Sequence, residues 1–318
     1  MQGLFRSLGE LLSEKTSCVL AIVAASEGST PRGPGAMMLV TAAGRHWGSI
    51  GGGIIEYQAI ERAKELLDCG QTEVMHFDIT ARSNAMCGGA YDVLLYYLDF
   101  CDAAVCRAMK QILEQSSSGR FMQVLFPLAG GLPVLCLEHQ TSIINRDGYF
   151  CQSFNRDGAV YIFGGGHVAQ QLAPVLQQLD FRCVVLDDRE EFANRTVFPT
   201  AAQVMQVDYE KLEKNIQLKG NDYVVIMTRG HQYDLEVERF ALRSEAKYIG
   251  LMGSRSKKGL LRSLLLAEGF TEQQLDRVII PIGLDISSET PAEIAISIAA
   301  QLIQVRAKTC AGSERYRE

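Results

Sequence analysis

The sequence predicts an α/β chain whose second half is a doubly wound parallel sheet, preceded by a mixed α+β domain. Three observations carry that prediction. An apolar run ending in Tyr161-Ile162-Phe163 breaks into Gly164-Gly165-Gly166 and then into the helical pattern opened by His167-Val168-Ala169. The acidic pair Asp187-Asp188 closes a second apolar run roughly 20 residues later, the spacing of a dinucleotide-type βαβ unit. Beyond residue 158, short apolar runs at 159–163, 182–186, 203–207, 223–227 and 248–251 alternate with helical patterns, the first of them at 168–179. Glycines at a strand-to-helix turn let the backbone approach a phosphate at the positive helix N-terminus, and an acid at the next strand end is placed for a ribose. The C-terminal part is therefore read as Rossmann-like, the alternative being a turn whose glycines serve packing alone.

The N-terminal elements follow from periodicity and breakers. Leu4, Leu8, Leu11 and Leu12 have helical spacing, and strands are expected at 17–25 and 36–41, separated by a loop at 27–35 too rich in Gly and Pro for a helix. A second glycine turn, Gly51-Gly52-Gly53, opens a helix over 54–69. Strands at 72–78 and 91–98 flank a loop that carries Cys87 beside Gly88 and Gly89, a helix spans 102–115, and short strands fall near 121–126, 134–138 and 149–154. Asn155-Arg156-Asp157-Gly158 repeats the turn signal of residues 145–148 and marks the boundary between a domain of residues 1–157 and one of residues 158–318. In the second domain Pro174 is expected to kink its helix, and Thr290-Pro291-Ala292-Glu293 is a helix start with cap, proline and glutamate in the favoured places.

Length and composition narrow the classes of function. A chain of 318 residues with 47% hydrophobic content can bury two cores. A net charge of −6 argues against a basic nucleic-acid surface. Nine cysteines, an odd number without C-x-x-C pairs, and an N-terminus without a signal-peptide pattern imply reduced thiols in a cytoplasm. No apolar stretch reaches the length of a membrane span.

In an open parallel sheet, ligands bind beyond the carboxyl ends of the strands, so the loops there converge on one crevice. These loops are Gly164-Gly165-Gly166-His167, Asp187-Asp188-Arg189, Thr228-Arg229-Gly230-His231 with Asp234, and Met252-Gly253-Ser254-Arg255 with Lys257 and Lys258. Their cations suit an anionic ligand. His167 and His231, each beside a glycine at a strand end, are read as site residues, with capping or loop packing as the alternative. Cys87 is read as a functional thiolate that binds a soft metal or carries sulfur, because flanking glycines would expose it, whereas Cys18, Cys101, Cys106, Cys136 and Cys183 read as small buried hydrophobes. Hydrolase and kinase motifs are absent.

With these motifs assembled, the chain resembles the xanthine dehydrogenase accessory protein family (XdhC/CoxI) over nearly its whole length. Gly28-Ser29-Thr30-Pro31-Arg32, Gly48-Ser49-Ile50-Gly51-Gly52-Gly53 with Glu56, and Met86-Cys87-Gly88-Gly89 carry the resemblance in the first half. Ile162-Phe163-Gly164-Gly165-Gly166-His167, Leu186-Asp187-Asp188-Arg189, Thr228-Arg229-Gly230-His231 with Asp234, and Leu251-Met252-Gly253-Ser254-Arg255 carry it in the second. The resemblance implies a factor that binds the molybdenum cofactor (molybdopterin), holds it during sulfuration by a cysteine desulfurase, and inserts it into an apo molybdenum hydroxylase of the xanthine dehydrogenase type. That is binding and handover rather than turnover. It also implies a homodimer in which the 51–53 turn faces a Rossmann cleft. Relatives with a cysteine in that turn differ from this chain, which has Ile54 there, and residues 101–154 carry no family motif. The competing expectation is an NAD(P)-dependent oxidoreductase or a nucleotide-sensing module built on the same Rossmann domain.

Overall fold

The structure, a computed structural model, describes residues 2–28, 30, 32–78, 89–117, 121–137, 148–154 and 158–310. The chain divides after Arg156 into two compact units. The first contains α1 (Gln2–Ser13), β1 (Cys18–Gly28), β2 (Met37–Thr41), β3 (Gly44–Gly48), α2 (Gly53–Cys69), β4 (Glu73–Asp78), β5 (Gly89–Leu98), α3 (Ala103–Ser117), β6 (Met122–Pro127), β7 (Val134–Cys136) and β8 (Tyr149–Phe154). Its five-stranded antiparallel sheet has the order β3-β2-β1-β5-β4, beside a three-stranded antiparallel sheet, β7-β6-β8. Alternate residues of β1 point to opposite faces. Leu20 and Ile22 pack with α1, α3, β6 and β8, while Val19, Ala21 and Val23 pack with Ala59, Ala63 and Leu66 of α2. Both faces are covered, which is why β1 reads as an unbroken apolar run rather than an alternating one.

The second unit contains β9 (Ala159–Phe163), α4 (His167–Gln178), β10 (Arg182–Asp187), β11 (Gln203–Gln206), a short 3-10 helix (Tyr209–Lys214), β12 (Tyr223–Ile226), α5 (His231–Leu242), β13 (Tyr248–Leu251), α6 (Arg255–Ala267), α7 (Glu272–Leu275), β14 (Val278–Ile279) and α8 (Pro291–Cys310). The six strands are parallel in the order β11-β10-β9-β12-β13-β14. α4 and α8 cover one face, packing on Ile162, Val185 and Val225. On the other face α5, α6 and the 3-10 helix pack on Phe163, Leu186 and Ile226. This is the doubly wound Rossmann order, with the switch point between β9 and β12. The predicted α8 start is present: the Glu293 carboxylate accepts from the Glu289 and Thr290 amides, and the Thr290 hydroxyl accepts from the Glu293 amide.

Several details depart from the sequence reading. α4 runs on through Pro174 to Gln178. β3, the 3-10 helix, α6, α7 and β14 are additional elements, being too short or too weakly patterned to stand out from their flanks. Cys18 and Cys183 are buried as expected, but Cys106 and Cys136 are half-buried and Cys101 is exposed, because it follows β5 at the surface and its thiol reaches only the Lys15 carbonyl. Among the described residues no helix is long and apolar enough to cross a membrane.

The tightest constraint in the second unit is the turn after β9. Gly164 has φ +112°, and a Cβ there would press into the Met227 carbonyl at the end of β12. Gly166 is different: it has φ −68° and ψ −171°, and a Cβ there would meet nothing. Gly164→Ala is expected to cost about 3 kcal/mol or more through strain and collision, whereas Gly166→Ala should stabilise the chain by up to about 1 kcal/mol. Urea unfolding of the two variants beside the parent measures both.

Candidate functional site

The crevice at the carboxyl ends of the parallel strands is organised around a buried carboxylate. Asp187, 1% exposed at the end of β10, accepts from the Gly165 amide at 2.7 Å, from the Arg189 amide at 3.0 Å, and from the Arg189 guanidinium at 2.9 and 3.1 Å. Burial alone would push this carboxyl up, but the Arg189 side chain and the two amides outweigh it and hold the group below the usual carboxylate range. The Gly164 amide donates to the Leu186 carbonyl at 2.7 Å. The glycine turn is thereby locked to β10. What it leaves open is the start of α4, where Gly166 is the N-cap, no side chain caps the helix, and His167 is exposed.

The neighbouring acid is used differently. Asp188 Oδ2 accepts from Arg229 at 2.8 Å, linking the loops after β10 and β12, while Asp188 Oδ1 is buried and accepts no hydrogen bond. Arg229 is half-exposed and lies over the Tyr233 ring, and Arg189 lies over Phe192. α5 begins at Gly230, again without a side-chain cap and with open space where a Cβ would stand. The crevice therefore has two uncapped helix starts on adjacent strands and an arginine at its rim. Bare amides at a helix N-terminus favour an anion.

Asp234 is a structural tie rather than a free ligand group. It is 2% exposed, accepts from the Thr228 amide at 3.2 Å and the Thr228 hydroxyl at 2.7 Å, and forms an ion pair with Lys257 of α6. Lys257 also donates to the Met252 carbonyl at 2.9 Å, so the pair joins the loops after β12 and β13. One turn further along α5 lies Glu238, 3% exposed, with Oε2 unpartnered. Burial, reinforced by the Asp234 carboxylate and partly offset by Lys257, raises its carboxyl to about 7. The sequence reading passed over Glu238; its signal is an acid at the i+4 position from Asp234, beside the buried Val237 on the same helix.

The N-terminal glycine turn has the same sequence signature and a different filling. Gly51, Gly52 and Gly53 have φ values of +137°, +75° and +65°, and α2 begins there without a cap from its N-cap residue. Its anion position is filled from within the chain. Glu56, 7% exposed, accepts from the Ser49 hydroxyl at 2.5 Å, the Ile50 amide at 3.0 Å, the Gly52 amide at 3.1 Å and Arg45 at 3.1 Å. Burial opposes ionisation, yet these donors hold the Glu56 carboxyl below its ordinary range. Ile54 and Tyr57 on the first turn of α2 are exposed.

The second unit thus gathers Gly164, Gly166, His167, Asp187, Arg229 and Asp234 at one sheet edge. His231 opens α5 and Arg255 opens α6 at that edge, but their side chains, like Cys87 as a whole, lie outside the described residues. Burial pushes the Cys18 and Cys183 thiols up to about 12, which leaves them unreactive near neutral pH.

Glu238 gives the site a measurable pH signature. Its folded value of about 7 lies above the ordinary 4.5, so the folded state holds the extra proton between those values. The cost of ionising it in place is absent below 4.5, grows as pH rises, and is complete above 7. Glu238→Gln, which mimics the protonated form, should match the parent at pH 4.5 and exceed it by about 3 kcal/mol at pH 8. Denaturant unfolding at both pH values checks this, and equal stabilities at pH 8 would refute it.

Comparison with known proteins places the chain. A model described as the XdhC Rossmann domain matches residues 160–302, and one described as the XdhC and CoxI family matches residues 11–78, together well over half of the chain. The chain is 24% identical over 324 residues to a Bacillus subtilis (strain 168) protein named as a probable xanthine dehydrogenase component, covering 94% of this chain and 96% of that protein. It is 23% identical over 304 residues to the Escherichia coli (strain K12) molybdenum cofactor insertion chaperone PaoD, covering 93% and 86%. With the uncharacterized protein YqeB of the same bacterium it shares 26% over 305 residues, 96% of this chain but 46% of that protein. A crystal structure of a Bacillus halodurans protein, titled a xanthine dehydrogenase, superposes with a TM-score of 0.82 at 24% identity and covers 98% of each chain, which shows the fold. From the two matching models, which together span most of its length, the chain belongs to the XdhC/CoxI family.

Proposed function

We propose that this protein is an accessory factor for a xanthine dehydrogenase-type molybdenum hydroxylase, and that it binds the molybdenum cofactor and passes it to the apo-enzyme. The observation that carries the reading is the uncapped, glycine-opened start of α4 at the crevice of a chain of this family. The relatives named for xanthine dehydrogenase and for cofactor insertion support it. The residues fit the phosphate end of such a cofactor. The Cβ-free approach at Gly166, the bare first-turn amides of α4 and the half-exposed Arg229 would hold an anion, with His167 beside them. The bound group supplies the redox-active molybdenum; the chain binds and orients it. The reading includes Cys87 as the thiolate near the molybdenum, a cysteine desulfurase as sulfur donor, and a homodimer as the working assembly. The NAD(P) alternative fits less well, because Asp187, the acid an unphosphorylated ribose would use, already accepts four hydrogen bonds from Gly165 and Arg189.

The test is co-expression with the cofactor pathway followed by molybdenum analysis and native mass spectrometry. Parent protein should carry molybdenum and a molybdopterin-sized ligand, while Gly166→Val, which the backbone tolerates, and Cys87→Ser should each lose most of it. A dinucleotide in place of molybdopterin would overturn the reading. Equal molybdenum in parent and Gly166→Val would remove the α4 start from the site, and equal molybdenum in Cys87→Ser would remove the thiolate.

A further inference from the structure

Beside the ion pair of Asp234 with Lys257, a donor and an acceptor are both left over. An ammonium carries three N–H donors, and Lys257 uses one on Asp234 and one on the Met252 carbonyl. Glu238, one turn beyond Asp234 on α5 and 3% exposed, has its Oε2 buried without a donor. The charged groups that act on Glu238 are Asp234 of its own helix and Lys257 of α6. β12 and β13 beneath α5 present Val224, Ile226, Ile249 and Leu251, none of them titratable. The 3-10 helix packed on α5 brings Tyr209, set against Tyr233, and Glu213, which pairs with Arg243 at the surface. Further along α5, Arg239 is taken by Glu236 and Glu268. The Lys257 stem lies so close to the loop after β13 that a Cβ on Gly253 would press into it.

We propose that Glu238 is a proton-dependent positioning residue, which decides whether Lys257 holds the Met252 carbonyl. With Glu238 protonated, Lys257 bridges Asp234 and Met252, and the loop after β13 is tied to α5. When Glu238 gives its proton to solvent, the buried carboxylate needs a donor, and Lys257 is the cation that acts on it. A bond between two ions is stronger than one from an ammonium to a neutral carbonyl, so the ammonium turns from Met252 to Glu238 while Asp234 keeps its bond. Met252 then retains its amide bond to the Ile226 carbonyl at 2.8 Å, and the peptide between Met252 and Gly253 is free to turn. The start of α6 stays on α5, and the strand-end loop before it is released. The exchange involves only this chain's own residues and does not depend on which ligand the crevice binds.

Met252-Gly253 is the single Met-Gly pair in the sequence. Full-length protein labelled with carbonyl-13C methionine and 15N glycine therefore gives one carbonyl–amide NMR correlation, that of the peptide in question. Raising the pH from about 5 to about 9 should move the Met252 carbonyl signal upfield, the direction of a lost hydrogen bond, with a midpoint at about 7. Lys257→Met, which has no ammonium to offer, should place the signal at that upfield position at every pH. Glu238→Gln, which cannot ionise, should hold it at the parent's low-pH position throughout. A parent signal that does not move with pH, or that moves downfield as Lys257 tightens on Met252, would overturn the proposal. So would a Glu238→Gln signal that still titrates, since the proton would then belong to another group.

Discussion

The buried carboxylate of Asp187 is the interaction on which the second unit's crevice depends. One oxygen pair, withdrawn from solvent, accepts from the Gly165 amide of the turn after β9 and from the backbone and side chain of Arg189 beyond β10. Removing any donor would leave a buried charge underpaired, a far larger penalty than the loss of an exposed ion pair. The turn can therefore adopt only the geometry in which Gly164 passes against the Met227 carbonyl, and α4 starts in one place relative to β12. A rigid floor of this kind places backbone donors before a ligand arrives, and preorganised donors lose little ordering entropy on binding.

The two glycine turns of the chain illustrate how similar sequences reach opposite outcomes. Glu56, on the first turn of α2, folds back onto the amides of Ile50 and Gly52, so the N-terminal turn carries its own anion. At the α4 turn the corresponding acid, Asp187, comes from another strand and binds Gly165 from beneath, leaving the helix start itself uncapped. One turn is satisfied from within and the other is left uncapped. The same distinction separates α5, uncapped at Gly230, from α6, where Ser254 caps the Lys257 amide, and from α8, capped by Thr290 and Glu293. Side-chain caps thus stand at α6 and α8 and are missing at the two helix starts that flank the switch point.

Around that opening, charge is arranged in ties rather than as free groups. Asp188 with Arg229 joins the loops after β10 and β12, and Asp234 with Lys257 joins those after β12 and β13. Each tie links one strand-end loop to another. Glu238, buried next to the second tie and lacking a partner for Oε2, is the poorly satisfied member, and its elevated carboxyl is the physical consequence.

The sequence by itself determined the fold class and which loops meet at the carboxyl ends of the parallel strands. Apolar runs between glycines and acids marked β9, β10, β12 and β13, because a strand buried on both faces needs no polar alternation, and the turn after β9 was marked by Gly164, whose positive φ favours glycine. The α8 cap was legible for the same local reason. Only the tertiary structure decided how each polar residue is used. That Asp187 is consumed by Arg189 and Gly165, that Asp234 is a tie to a lysine on another helix, that Glu56 fills its own turn, and that Glu238 is buried at all depend on which elements become neighbours. Periodicity reports which face of an element is buried, whereas hydrogen-bond partners 22 or 23 residues apart, as in Gly165 with Asp187 and Lys257 with Asp234, are set by strand order and helix packing, which no local pattern encodes.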